Sequence, residues 1–225
     1  MSSDLPILYS FRRCPYAMRA RLAIASSNLP CQLREIVLRD KAPDMLAASP
    51  KGTVPVLVVP DAPDGQTVIE ESLDIMLHVL AQNDPENLLA DEDTNAAMLA
   101  LIAENDGPFK TQLDRTKYAD RLERQGEQVD VETERQGALI FLRKLDGLLA
   151  QTPYLFGEQL RLADIAIFPF IRQFAHVDED WFEVQSLPHL TKWFHDLRAS
   201  ERFQSIMAKY DKWQAGDDVT LFPSI

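Results

Sequence analysis

The chain has 225 residues, 46% hydrophobic and 26% charged, an ordinary balance for a globular protein able to bury a sizeable core. Its formal net charge of -12 argues against nucleic acid or an anionic membrane as the main partner, because both require a basic face. An anionic ligand is therefore expected at a local basic cluster, and no run of about eighteen apolar residues offers a membrane span.

In chain order, "ILYSF" (7–11) reads as a short apolar strand. "PYAMRARLAIASS" (15–27) reads as a helix with Pro15 at its first position and Met18, Leu22 and Ala25 on one face. "CQLREIVL" (31–38) is a second strand and "PDMLAAS" (43–49) a short helix. "TVPVLVVPD" (53–61) and "QTVIEES" (66–72) are two strands turned through "APDG", and "SLDIMLHVLAQ" (72–82) is a helix capped by Ser72. The order is βαβαββα. The polar stretch at 83–92 reads as a linker, after which strand signals stop. Helices are expected at 93–118, 132–151, 162–176 and 187–208, with the charged run 121–137 partly a solvated loop. The expected division is an α/β domain over 1–82, a linker over 83–92 and an all-helical domain over 93–225.

Two cysteines are too few for a disulfide framework, so Cys14 and Cys31 are expected as free thiols. The opening "MSSDLPILYSF" has no basic segment followed by a long apolar run, which points to a cytoplasmic location. The four histidines, His78, His176, His189 and His195, show no ligand spacing, and no metal is expected.

Cys14 stands apart. If Pro15 opens the helix, Cys14 is its N-cap, where backbone N–H groups and the helix dipole favour an anion. Arg12, Arg13, Arg19 and Arg21 lie close in sequence, and no acid occurs between Tyr9 and Ile24. Cations beside a thiol favour thiolate, the reactive form. The bland alternative is a small buried hydrophobe, the expectation for Cys31, which opens a strand without such neighbours.

The pieces "RRCPYAMRARLAI", "SPKGTVPVL", "VIEESLDI" and "RLADIAIFPF", taken together and in this order, resemble the cytosolic glutathione transferases. "CPYA" resembles the cysteine-type, omega-like and glutaredoxin-like members. The resemblance implies a thioredoxin-like domain, glutathione as co-substrate, a small hydrophobic or disulfide substrate, and a homodimer. It implies a cis Pro55, with Val54 offering its backbone to the peptide part of glutathione like a neighbouring strand. Glu71 would receive the γ-glutamyl ammonium, and Ser72 with its helix N-terminus the carboxylate. Lys41 falls about where omega-like members bind the glycine carboxylate, whereas Lys51 reads as surface. An electrophile pocket would draw on Phe109, Tyr118, Phe174 and Trp181, all equally compatible with core.

Two departures matter. Ala17 stands where a dithiol enzyme has its second cysteine, so only a monothiol route is open. Arg161 stands where the family usually has serine or threonine, so Asp164 keeps one half of a capping box. Tyr9 and Ser10 lie near where conjugating members keep a catalytic hydroxyl. The expected function is a glutathione-dependent thiol transferase acting through Cys14. The alternatives are conjugation of glutathione to hydrophobic electrophiles and a non-catalytic glutathione-fold binding protein.

Overall fold

The computed structural model describes residues 5–61 and 65–223. The expected turn through "APDG" lies outside them except for Gly65. By its contacts the chain forms two units, Met1–Asn87 with Glu201–Ile225, and Leu88–Ser200.

In the first unit β1 (Ile7–Ser10), α1 (Pro15–Ser27) and β2 (Cys31–Glu35) form a βαβ unit with parallel strands, Leu8 opposite Leu33. Next come α2 (Pro43–Ala48), β3 (Val56–Asp61), β4 (Gly65–Ile69) and α3 (Ser72–Gln82). β3 lies antiparallel on β1, with Tyr9 opposite Val56, and β4 antiparallel on β3. The expected βαβαββα order is present. β2 ends at Glu35, three residues before the expected limit, and β3 begins just after the cis Val54–Pro55 bond. α1 is buried around most of its circumference, including Arg19 and Arg21, because it packs on the sheet and against α3. It ends at Asn28, whose φ of 54° puts the backbone in the left-handed region that asparagine tolerates.

The second unit is helical. α4 (Glu92–Glu104) is capped by Asp91, whose side chain accepts from the Thr94 N–H at 3.0 Å. A π-helical turn at Asn105–Phe109 joins it to α5 (Lys110–Lys117), so the expected single helix carries a bulge around Pro108, which has no N–H for a regular ladder. α6 (Ala119–Arg124) runs into the start of the charged run expected to be partly loop. α7 (Val131–Leu149) follows, with Gly137 facing α5. A Cβ there would stand 2.9 Å from Gln112 Cγ, so glycine permits the close approach. α8 (Leu162–Ala175) is almost wholly buried, and α9 (Glu179–Glu183) and α10 (Pro188–Ala199) complete the unit.

At the start of α8, Arg161 has no acceptor atom to offer, so only the Asp164 half of the box forms. Arg161 N–H donates to Asp164 Oδ2 at 2.9 Å. Asp164 Oδ1 accepts from Leu155 N–H at 3.0 Å and Trp193 Nε1 at 2.9 Å. Burial nevertheless pushes the Asp164 carboxyl up to about 6.

The chain then returns to the first unit. The helix expected at 187–208 breaks at Ser200, α11 (Glu201–Ser205) contacts α1, and β5 (Leu221–Phe222) adds a strand antiparallel to β2, with Cys31 opposite Phe222. The sheet order is β4-β3-β1-β2-β5. Trp213 closes over this edge: Arg34 stacks 4.0 Å from its ring, and its N–H donates to Glu35 O at 2.9 Å.

Candidate functional site

A cavity of about 510 Å³ opens in the first unit, a size suited to a small-molecule ligand. Cys14, and the residues that the resemblance assigns to glutathione, Lys41, Val54, Pro55, Glu71 and Ser72, all line it.

Cys14 is the N-cap of α1 in extended conformation, with Pro15 next and no side-chain cap. It is half-buried, and its Sγ lies 3.7 Å from Val54 O in a weak S–H hydrogen bond across the loop carrying the cis Val54–Pro55 bond. The positive end of a 13-residue helix thus meets a thiol on a cavity wall. Its arginines are distributed unevenly. Arg13 is exposed and lies over the Phe11 ring, while Arg19 and Arg21 on α1 are buried instead of reaching solvent. Burial lowers Arg21 to about 10, and the charges of Glu35, Cys14 and Tyr210 act to keep it a cation.

Ser72 is the first residue of α3 and Glu71 its N-cap, which corrects the expected cap by Ser72. The Ser72 hydroxyl instead accepts from Arg19 Nε at 2.9 Å. Glu71 is paired with Lys51, a residue that reads as surface in the sequence but lines the cavity; the hydrogen bond to Glu71 raises its pKa. Glu70, which the sequence reading passed over, also lines the cavity and accepts from the buried Ser49 hydroxyl at 2.5 Å. Ser49 follows a helix end, and although it opens "SPKGTVPVL" nothing in that stretch points to Glu70, so only the fold reveals that contact. Lys41 is half-buried, and among the described residues its ammonium meets no hydrogen-bond or ion-pair partner. Gly52, at φ +64°, leaves it room: a Cβ there would stand 3.2 Å from Lys41 Nζ.

Other sequence candidates are not among the residues that line the cavity. Tyr9 is a buried strand side chain whose hydroxyl accepts from Arg34 Nη1 at 2.7 Å. Ser10 is fully buried and accepts from Arg21 Nη1 at 2.9 Å. Neither hydroxyl lines the cavity. Burial pushes Cys31 up to about 12. Phe109 and Phe174 are core, their ring centroids 5.5 Å apart, and Trp181 packs edge-on against Phe174. Tyr118 is flanked by Lys117 and Arg121. His176 pairs with Glu179 and His195 with Glu183. Among the described residues no three His, Cys, Asp or Glu side chains gather as a metal site would require.

Comparison with known proteins gives the same architecture. A family model described as glutathione S-transferase, N-terminal domain, matches residues 8–87, and one described as glutathione S-transferase, C-terminal domain, matches residues 131–196. Glutathione S-transferase 4 of Zea mays is 28% identical over 207 residues, covering 88% of this chain and 90% of the relative. Pyrimidodiazepine synthase of Drosophila melanogaster is 28% identical over 224 residues, covering 90% and 79%. A glutathione transferase family member from Pseudomonas fluorescens, solved with two glutathione bound, shares the fold at a TM-score of 0.77 and 19% identity, covering 91% and 92%. With both domain models matched in order along the chain, the protein belongs to the glutathione S-transferase family.

Proposed function

We propose that the protein is a glutathione-dependent thiol transferase of the cysteine type. The observation that carries this reading is the half-buried Cys14 thiol at the N-terminus of α1, on the wall of a cavity that Tyr9 and Ser10 do not reach. In a first step the Cys14 thiolate attacks the glutathione sulfur of a mixed disulfide. The Cys14–glutathione disulfide forms, and the substrate sulfur leaves as thiolate and takes a proton. In a second step the thiolate of another glutathione attacks the glutathione sulfur bound to Cys14, releasing glutathione disulfide and regenerating the Cys14 thiolate. With Ala17 in place of a resolving cysteine, the second glutathione is the required reductant. The dipole of α1 favours Cys14 as attacking thiolate and as leaving group alike.

The cavity supplies complementary groups for the tripeptide. Lys41 offers a cation to the glycine carboxylate, Val54 its backbone to the cysteinyl peptide, Ser72 and the start of α3 donors to the γ-glutamyl carboxylate, and Glu71 an anion to the ammonium. Lys51 holds Glu71 in this structure and competes with that ammonium. A cytoplasmic setting, rich in reduced glutathione, and a homodimer belong to the same proposal.

Intact mass spectrometry tests it. The wild-type chain incubated with glutathione disulfide gains one glutathionyl unit, Cys14→Ser gains none, and reduced glutathione removes the adduct. An unmodified wild type, or an adduct on Cys31, overturns the mechanism in favour of conjugation or a binding role.

A further inference from the structure

Behind Cys14 lies a buried pair of opposite charges. Arg21, in the middle of α1, is completely buried, and Glu35, the last residue of β2, is 8% exposed. Their hydrogen bonds converge on one residue of the turn between β1 and α1. Glu35 Oε1 accepts from the Arg12 N–H at 2.7 Å, and Arg21 Nη2 donates to the Arg12 carbonyl at 2.7 Å. Arg21 Nη1 also holds Ser10, and it stands 3.9 Å from Glu35 Oε2. Two residues beyond Arg12, the Cys14 N–H closes the turn onto Phe11 O at 3.0 Å.

Stability alone is a poor reason for this arrangement. A buried ion pair roughly cancels its own desolvation, and apolar side chains of similar volume often serve the fold as well or better. Here the pair is also incompletely satisfied, since among the described residues Arg21 Nε and Glu35 Oε2 meet no hydrogen-bond partner. The two short bonds go to the backbone of Arg12 instead. Burial pushes Arg21 down and Glu35 up, each toward its neutral form; against it, the charges of Glu35, Cys14 and Tyr210 favour the Arg21 cation while Arg12 opposes it, and the Arg12 N–H with the charges of Arg21 and Arg12 favours the Glu35 anion.

We propose that Arg21 and Glu35 are positioning residues, a buried clamp that grips the N–H and C=O of Arg12 and thereby sets where the Cys14 sulfur stands at the start of α1. The inference rests on the reading of Cys14 as the reactive thiol. A β2 carboxylate and an α1 guanidinium together lock the one turn whose movement would displace that thiol from both the helix end and the cavity.

The experiment is the second-order rate of Cys14 alkylation by iodoacetamide at pH 7 on the full chain, with the adduct located by peptide mass spectrometry and urea unfolding followed in parallel. Replacing the pair together, Arg21→Met with Glu35→Leu, leaves no uncompensated charge and is expected to fold while slowing Cys14 at least tenfold. Glu35→Ala, which removes the acceptor for Arg12, is expected to show the same loss. Glu35→Gln, which keeps an oxygen for the Arg12 N–H, is expected within threefold of wild type. A folded double variant or Glu35→Ala alkylating at the wild-type rate overturns the clamp, as does a Glu35→Gln rate as low as that of Glu35→Ala. If the double variant does not fold, the Gln and Ala pair decides. Iodoacetamide reads the thiol without glutathione, so a wild type that alkylates at Cys14 but never carries glutathione would sink the transferase reading separately.

Discussion

Arg19 Nε donates a 2.9 Å hydrogen bond to Ser72 Oγ, joining α1 to the first residue of α3. Both residues are buried, and the guanidinium also lies 5.2 Å from the centre of the Tyr16 ring. A charged donor held this way fixes the hydroxyl of a residue that lines the cavity. Arg19→Met keeps much of the aliphatic volume and removes the donor. It is expected to lower the unfolding free energy by about 1.5–3 kcal/mol and to weaken glutathione binding as well. Urea unfolding and calorimetric titration read the two effects. Unchanged glutathione affinity would show that Ser72 does not depend on Arg19 for its orientation.

Lys41 and Lys51 line the same cavity but differ in what already satisfies them. Lys51 is paired with Glu71 in an exposed bridge, a type of contact worth little to stability. Lys41 lines the cavity and has no hydrogen-bond or ion-pair partner among the described residues. Lys41→Ala is therefore expected to raise the Kd for glutathione about tenfold, near 1.4 kcal/mol, with unfolding unchanged. The loss should shrink as salt screens the wild-type contact. Calorimetric titration at two ionic strengths checks both points, and a Kd equal to wild type would remove Lys41 from the site.

Local pattern carried the first unit well. The strands and helices from Ile7 to Gln82 follow from short apolar runs, Pro15 at a helix start and helical spacing in α3, and of the residues that gather on the cavity Cys14, Val54, Pro55, Glu71 and Ser72 lie in "RRCPYA", "TVPVL" and "IEES", whereas Lys51 and Glu70 went unmarked as cavity residues. What escaped the sequence depends on contacts far along the chain. β5 is two residues long and exists through its pairing with Cys31 and Gln32, which no local signal reports. α6 sits in so charged a run that its pattern resembles a loop. The burial of Arg19, Arg21 and Glu35 runs against the strong expectation that charged side chains face water, and only the fold shows the partners that permit it. Ser72 resembled a cap by residue type, but the hydroxyl has a stronger donor in Arg19.

The two cysteines should separate cleanly by reactivity. With its thiol pushed up to about 12 by burial, Cys31 is ~0.01% thiolate at pH 8 and is closed off from solvent as well. Titration with a chromogenic disulfide at pH 8 is expected to find one rapid thiol in the folded chain, lost in Cys14→Ser, and two in guanidinium. Two rapid thiols in the folded chain would contradict the packing around β2.

Asp164 anchors the second unit through three N–H donors, from Leu155, Arg161 and Trp193. Asp164→Ala leaves all three unmet and should cost roughly 3–5 kcal/mol in urea unfolding. Its titration gives a sharper test. The folded chain holds the Asp164 proton up to about pH 6, whereas an unfolded aspartate releases it near 3.9. Between those limits the native state binds more protons, so the stabilisation from this group is full below pH 4 and is lost as pH rises through 6. Asp164→Asn cannot titrate. The wild-type minus Asp164→Asn difference in unfolding free energy should therefore fall by about 2–3 kcal/mol between pH 4 and pH 7. A difference that stays flat, or rises, would mean that the three donors outweigh burial and keep Asp164 ionised throughout this range.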